Sequence, residues 1–138
     1  STSRRQRQMC IRDSPNGFQL DNPHGIENSC TVVNTLNEMV CMSVGHKIRL
    51  FAVWPETVDV SFKKVRTWGA FLVSASFKTG TVCDVSVFSE KGRPCTVVNP
   101  WKGRKVLLVR NGKMGEQLLG EELTFSTSVN ETIVLKPL

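Results

Sequence analysis

Residues 71–87 read FLVSASFKTGTVCDVSV. Phe71, Val73, Ala75 and Phe77 alternate with Leu72, Ser74, Ser76 and Lys78, the two-residue period of a strand that turns one face to a core. Thr79-Gly80 supplies a tight turn, and Cys83, Val85 and Val87 carry the return strand. A lone hairpin with one apolar face is marginal in water, so this stretch demands a second layer to cover it.

The same pattern recurs on both sides. Ile48, Leu50 and Ala52 alternate with Arg49, Phe51 and Val53 until Pro55 ends the run. Residues 95–98 make a strand closed by Asn99-Pro100. Residues 105–110 lead into Asn111-Gly112, the strongest short-range hairpin signal a sequence offers. Leu123, Phe125 and Thr127 form another strand, and residues 132–135 finish the sheet. Short strands separated by turn residues, with no repeat, predict a mainly β fold: an antiparallel β-sandwich over 47–138 of about seven or eight strands.

Residues 15–46 differ in kind. The stretch PNGFQLDNPHGIENS (15–29) is rich in Pro, Gly and Asn, which punctuate loops. Val32, Leu36, Met39 and Val40 then recur at helical spacing. They predict one amphipathic helix over 30–43, capped by Asn28 or Ser29 and closed at Gly45. A single helix with one apolar stripe cannot bury itself and calls for neighbours.

Residues 1–14 (STSRRQRQMCIRDS) set Arg4, Arg5, Arg7 and Arg12 against Asp13 alone, half of the net charge of +6. The segment resembles translated adapter read-through at the ends of reading frames assembled from metagenomes. It is expected to be unpacked and is excluded from fold reasoning. The remaining charges are interspersed in sign, without a basic stripe and interleaved aromatics, so a nucleic-acid partner is not expected. No apolar run approaches the roughly 18–20 residues that span a bilayer, so a membrane partner is not expected either. The hydrophobic content of 40% suffices for a packed core.

Chemistry-bearing residues are few. Cys30, Cys41, Cys83 and Cys95 form no CxxC pair, and no His spacing completes a zinc site, so neither metal nor cofactor is expected. Cys83 and Cys95 read as small buried hydrophobes on strands. Asp59, Asp84, Glu90, Glu116, Glu121, Glu122 and Glu131 read as solvated surface, and His46 as a solvated or satisfied side chain. Trp54, Trp68 and Trp101 offer flat faces to sugar rings, but read first as staples of the sandwich, with Trp54 at a domain seam. The loop before the helix gathers Asp21, His24 and Glu27, and loops on a rigid scaffold are where functional groups collect. A carboxylate near a helix N-terminus is favoured as the anion. Glu27 is therefore either a base or orienting group, or simply a helix cap. Asn130-Glu131-Thr132 matches a glycosylation acceptor, a triplet common by chance.

Residues 15–138 resemble glycoside hydrolase family 95, the inverting α-L-fucosidase and α-L-galactosidase family. The resemblance is carried by GFQLD (17–21), GIEN (25–28), NEMVCMS (37–43) leading into IRLFAVWP (48–55), VRTWGAFLVSASF (65–77), SEKGRPCTVVNPW (89–101) and VLLVRNGK (106–113). It implies the C-terminal part of a secreted-type bacterial enzyme, periplasmic or extracellular. In this reading 15–46 hold the last loop and helix of a catalytic α/α barrel, and 47–138 the accessory sandwich on which the rest of the barrel packs. It further implies an oligosaccharide substrate with a terminal fucose- or galactose-like sugar, and a general acid located upstream. Two residues compete for the late catalytic carboxylate. Asp21 matches the left context, and Glu27, the preferred one, matches the distance to Asn37–Met39. His24 and Asn28 would then touch substrate. The chain departs from the family where Asn28 to Val32 replace a Gly-rich stretch and Glu replaces Asp. The other reading open to the sequence is a free-standing β-sandwich that binds carbohydrate without catalysis. The feature separating the two is the loop and helix of 15–45, which a binding module does not need.

Overall fold

A computed structural model describes residues 26–138. One helix, α1 (Ile26–Val40), is followed by β1 (Cys41–Val44), β2 (Lys47–Leu50), β3 (Val60–Thr67), β4 (Phe71–Lys78), β5 (Thr81–Ser89), β6 (Cys95–Val98), β7 (Val106–Arg110), β8 (Lys113–Leu118), β9 (Glu122–Phe125) and β10 (Glu131–Pro137). The expected sandwich is present. Residues 37–138 form one compact unit, with a four-stranded sheet in the order β1-β2-β6-β9 and a six-stranded sheet in the order β3-β4-β5-β10-β7-β8.

The alternation that predicted β4 is the alternation that builds the core. Phe71, Val73, Ala75 and Phe77 are buried while Leu72, Ser74 and Ser76 face outward and are half-buried. β5 and β10 continue the inner face with Val85, Val87, Ile133 and Leu135, and β7 with Val106 and Leu108. From the small sheet come Ile48, Leu50, Cys95, Val97, Leu123 and Phe125, and all of these belong to one continuous apolar cluster. Because the chain passes repeatedly from sheet to sheet, β2 meets β6 in parallel, Lys47 opposite Thr96. This is the one departure from antiparallel pairing among the described strands.

The helix boundaries differ from the expected 30–43 at both ends. The helix already runs from Ile26 in the described residues, so Asn28 and Ser29 lie within it. It stops at Val40 because Cys41–Val44 is drawn into pairing with β2, Cys41 opposite Leu50. Gly45 (φ 60°) and His46 (φ 63°) form the two-residue turn of that hairpin, so Gly45 closes a strand pair and not a helix. The 48–53 run also ends early, at Leu50, because Phe51 takes a left-handed φ of 53° and turns the chain.

β3 was not legible, and of β8 only the turn that leads into it, Asn111-Gly112, was. β3 carries a bulge between Phe62 and Val65. At this bulge Lys64 has φ 55° and its amide donates to Ser74 Oγ at 3.0 Å. The extra residue breaks the two-residue period that sequence reading looks for. β8 is an edge strand whose residues are exposed up to Gln117, so it shows no alternation at all.

Gly69, in the β3–β4 turn, has φ 90°, and a Cβ there would lie 2.6 Å from the ring of Phe71. That ring is 2% exposed and locked in the core, so it cannot step aside. Gly69→Ala is expected to cost about 1–3 kcal/mol from backbone strain and overpacking together. Thermal unfolding should register roughly 4–8 °C for each kcal/mol; an unchanged Tm would show that the turn relaxes freely.

Candidate functional site

Of the residues singled out from the sequence, Asp21 and His24 lie outside the described residues, as does the 1–14 segment. Glu27 and Asn28 fall in the first turn of α1. Along that helix residues 30–38 are exposed, including the apolar Val32 (52%), Val33 (59%) and Leu36 (49%).

The sandwich carboxylates are mostly held by partners. Asp59 accepts from the Thr79 amide and Asp84 from Ser76. Glu90 takes a bidentate pair from Arg66, and Glu122 pairs with Lys47. Glu131 corrects the surface reading, because it is buried. Arg110 Nη1 donates to both its oxygens, at 3.1 and 3.2 Å, and the Ser128 amide donates at 2.7 Å. Arg110 also donates to Glu116 at 2.8 Å, and that bond more than any other contact raises its pKa above the ordinary guanidinium value. These groups hold strands together. Among the described residues no set of His, Cys, Asp and Glu is arranged to hold a metal ion.

The thiols divide in two. Cys95 is buried as expected, but Cys83 is exposed, so its reading as a buried hydrophobe is corrected. The β5 bulge opposite Ser76 and Phe77 shifts the strand's phase there and turns Cys83 out. Cys41 is buried too. Burial pushes Cys95 up to about 12, and burial followed by the charge of Glu38 does the same for Cys41.

The three indoles have separate environments. Trp68 is half-exposed and meets His46 edge to face, ring centroids 3.7 Å apart. Trp101 is 4% exposed and gives its Nε1–H to Val82 O at 2.7 Å, a bond from the loop after β6 to β5 of the other sheet. Trp54 is half-buried against the core and donates to Val58 O at 2.8 Å.

Trp54 and Trp101 line a groove of about 590 Å³ between the loop after β2 and the loop after β6, with Arg49, Lys102, Arg104 and Glu56 also on its walls. One buried side chain shapes the second loop. Asn99 Oδ1 accepts the Trp101 amide at 3.0 Å, while its Nδ2 donates to Arg104 O at 3.1 Å and Gly120 O at 2.9 Å. All the hydrogen-bonding capacity of its carboxamide that matters is thereby used in place. Sequence reading took Asn99-Pro100 as a turn and missed this groove. The available signal was the run WKGRK (101–105), cations beside an aromatic residue just after a strand.

No family model matches the sequence, and no curated protein matches it. Among solved structures, the fold is similar to part of a glycoside hydrolase family 127 β-L-arabinofuranosidase from Geobacillus stearothermophilus T6, with a TM-score of 0.43 and 8% identity. The match covers 88% of this chain and 20% of that one, so the chain spans about a fifth of that enzyme's length.

Two outcomes follow from these environments. Asn99→Ala leaves the Trp101 amide without its acceptor in a buried position and removes the donor from two part-buried carbonyls, and urea unfolding should show a loss of about 1–3 kcal/mol. Asn99→Asp, which keeps the acceptor but sets a carboxylate oxygen against the Arg104 and Gly120 carbonyls, should cost at least as much. The buried thiols contribute stability in full below their ordinary value of 9.0, and lose it as pH rises from there towards 12. Stability should therefore decline across that window, with a shallower slope in Cys41→Ala and in Cys95→Ala; equal slopes in all three proteins would contradict the assignment.

Proposed function

We propose that the chain is the C-terminal part of a glycoside hydrolase, with α1 as the closing helix of a catalytic α/α barrel and the sandwich as its accessory domain. The observation that supports this reading is the exposure of Val32, Val33 and Leu36 along one stripe of α1. A helix gains stability mainly by burying such a stripe, and it fits a helix meant to pack against others. The order of elements, helix and then sandwich, is also the order implied by the family 95 resemblance.

At the finer level, the parent enzyme inverts configuration at a terminal fucose- or galactose-like sugar of an oligosaccharide, in the periplasm or outside a bacterial cell. Inversion needs two carboxyl-side groups about 6.5–9.5 Å apart, one donating a proton to the leaving oxygen and the other activating water on the opposite face. The donor belongs to the upstream barrel. Glu27 is the base-side carboxylate, ahead of Asp21, because the helix dipole favours its anion. His24 and Asn28 hold the sugar hydroxyls.

The 138-residue chain by itself should show no turnover on aryl α-L-fucosides or α-L-galactosides. In the protein extended with its upstream coding sequence, Glu27→Gln should lower kcat by roughly 10²–10⁴-fold with an unchanged melting curve, and Asp21→Asn should do less. Turnover by the chain alone, or an upstream sequence without a helical barrel, would overturn the proposal. The reverse ranking of the two variants would move the base to Asp21.

A further inference from the structure

The groove between the loops after β2 and β6 carries an uneven set of charges. Arg49, Lys102 and Arg104 line it, against Glu56 alone. Arg104 gives its Nε–H to Leu138 O at 3.2 Å. Arg49 and Lys102 are exposed and have no ion pair or side-chain hydrogen bond among the described residues. Three cations around one concavity, two of them uncommitted, attract an anion more strongly than the same charges spread over a convex surface. At about 590 Å³ the groove also falls in the range of small-molecule sites, roughly 300–1,000 Å³.

The other wall is apolar and fixed. Trp54 has its N–H held by Val58 O, so the surface it gives the groove is carbon. Trp101, at the base, is anchored through both of its N–H groups. The loop that presents Lys102 and Arg104 is held by Asn99 and needs no reorganisation to meet a ligand. An indole surface suits the C–H face of a pyranose ring, and a guanidinium fork suits a carboxylate.

An extended acidic peptide fits less well. Such peptides are captured through free backbone groups on a strand edge. The two strands flanking this groove, β2 and β6, are both interior to their sheet. The N–H groups of Trp101 and Arg104 are already used within the loop.

We infer that this groove binds a carboxylated oligosaccharide, a chain of uronic acid residues, with Arg49 and Lys102 on the carboxylates and Trp54 against a sugar ring. The inference concerns the sandwich by itself and does not rest on the catalytic proposal, since binding needs nothing from an upstream barrel.

The test is isothermal titration of the 138-residue chain with tetragalacturonate, with maltotetraose as the uncharged chain of equal length and hexaglutamate as the acidic peptide. Tetragalacturonate should bind at one site, and raising salt from about 50 to about 500 mM should weaken it roughly tenfold. Maltotetraose should not saturate, and hexaglutamate should bind at least about tenfold more weakly. The Arg49→Glu/Lys102→Glu double variant, both positions exposed, should melt as the parent does and lose affinity by about tenfold or more. Absence of tetragalacturonate binding, equal binding of maltotetraose or hexaglutamate, or an unaffected double variant would each overturn the inference. Should the double variant melt early, Lys102→Ala alone is read in its place.

Discussion

The Asn99 carboxamide and the Trp101 indole together form the joint on which the rest of the sandwich depends at its groove end. Sheet packing is otherwise non-directional: apolar area is removed from water, and many small slides of one layer over the other bury nearly the same area. A buried hydrogen bond is directional, and breaking it under cover is expensive. Trp101 reaches from the small sheet's loop to Val82 O on the large sheet, and Asn99 fixes the backbone from which Trp101 projects. Asn99 also reaches Gly120 O in the approach to β9. One amide therefore sets the spacing of three chain segments, and the groove inherits its shape from that spacing.

At the other end of the inner face the same problem is solved with charge. Arg110 continues the inward row of Val106 and Leu108, and Glu131 begins the inward row of Ile133 and Leu135, with Arg110 opposite Ile133 in the pairing of β7 and β10. Burying either alone would leave an uncompensated ion, whereas together each is paired, with the Ser128 amide donating to Glu131 and Arg110 also donating to Ser126 O and Glu116. Among the described residues no buried side-chain polar atom lacks a partner. The pair adds less to stability than an apolar replacement of the same shape, but it favours one register, since a one-residue slip of either strand would turn its charge to the outer face and leave the partner unpaired inside.

How much of this was legible depended on whether the signal was local. The alternation in 71–87 and the Asn111-Gly112 turn identified strands because each residue's environment follows from its immediate neighbours. β3 was hidden because its bulge at Lys64 is stabilised by Ser74, a residue on another strand. The burial of Glu131 was hidden because its partner Arg110 lies far along the chain, although extending the two-residue period from Leu108 and back from Ile133 would have put both charges on the inner face. The end of α1 was misplaced for a related reason: Met42 and Val44 serve a helix as readily as a strand, and pairing with β2 decides between them. Of the candidate catalytic loop, Glu27 and Asn28 lie in α1 and the rest lies outside the described residues, so the sandwich groove is the site on which geometry speaks.

Net charge shows the same division between local and non-local information. Once the arginines of 1–14 are set apart, the cations of the remaining chain look dispersed when read in order, and dispersed charge argues for solubility more than for a partner. Folding changes that distribution. Arg49 comes from β2 and Lys102 and Arg104 from the loop after β6, and the parallel pairing of β2 with β6 brings the two segments side by side. An antiparallel neighbour would have carried the loop after β6 to the opposite end of β2, away from the turn at Phe51 and from Trp54. The one parallel pair in an otherwise antiparallel sandwich is thus what concentrates charge beside an indole. Charge patterning along a sequence therefore bears on partners only after the strand order is known.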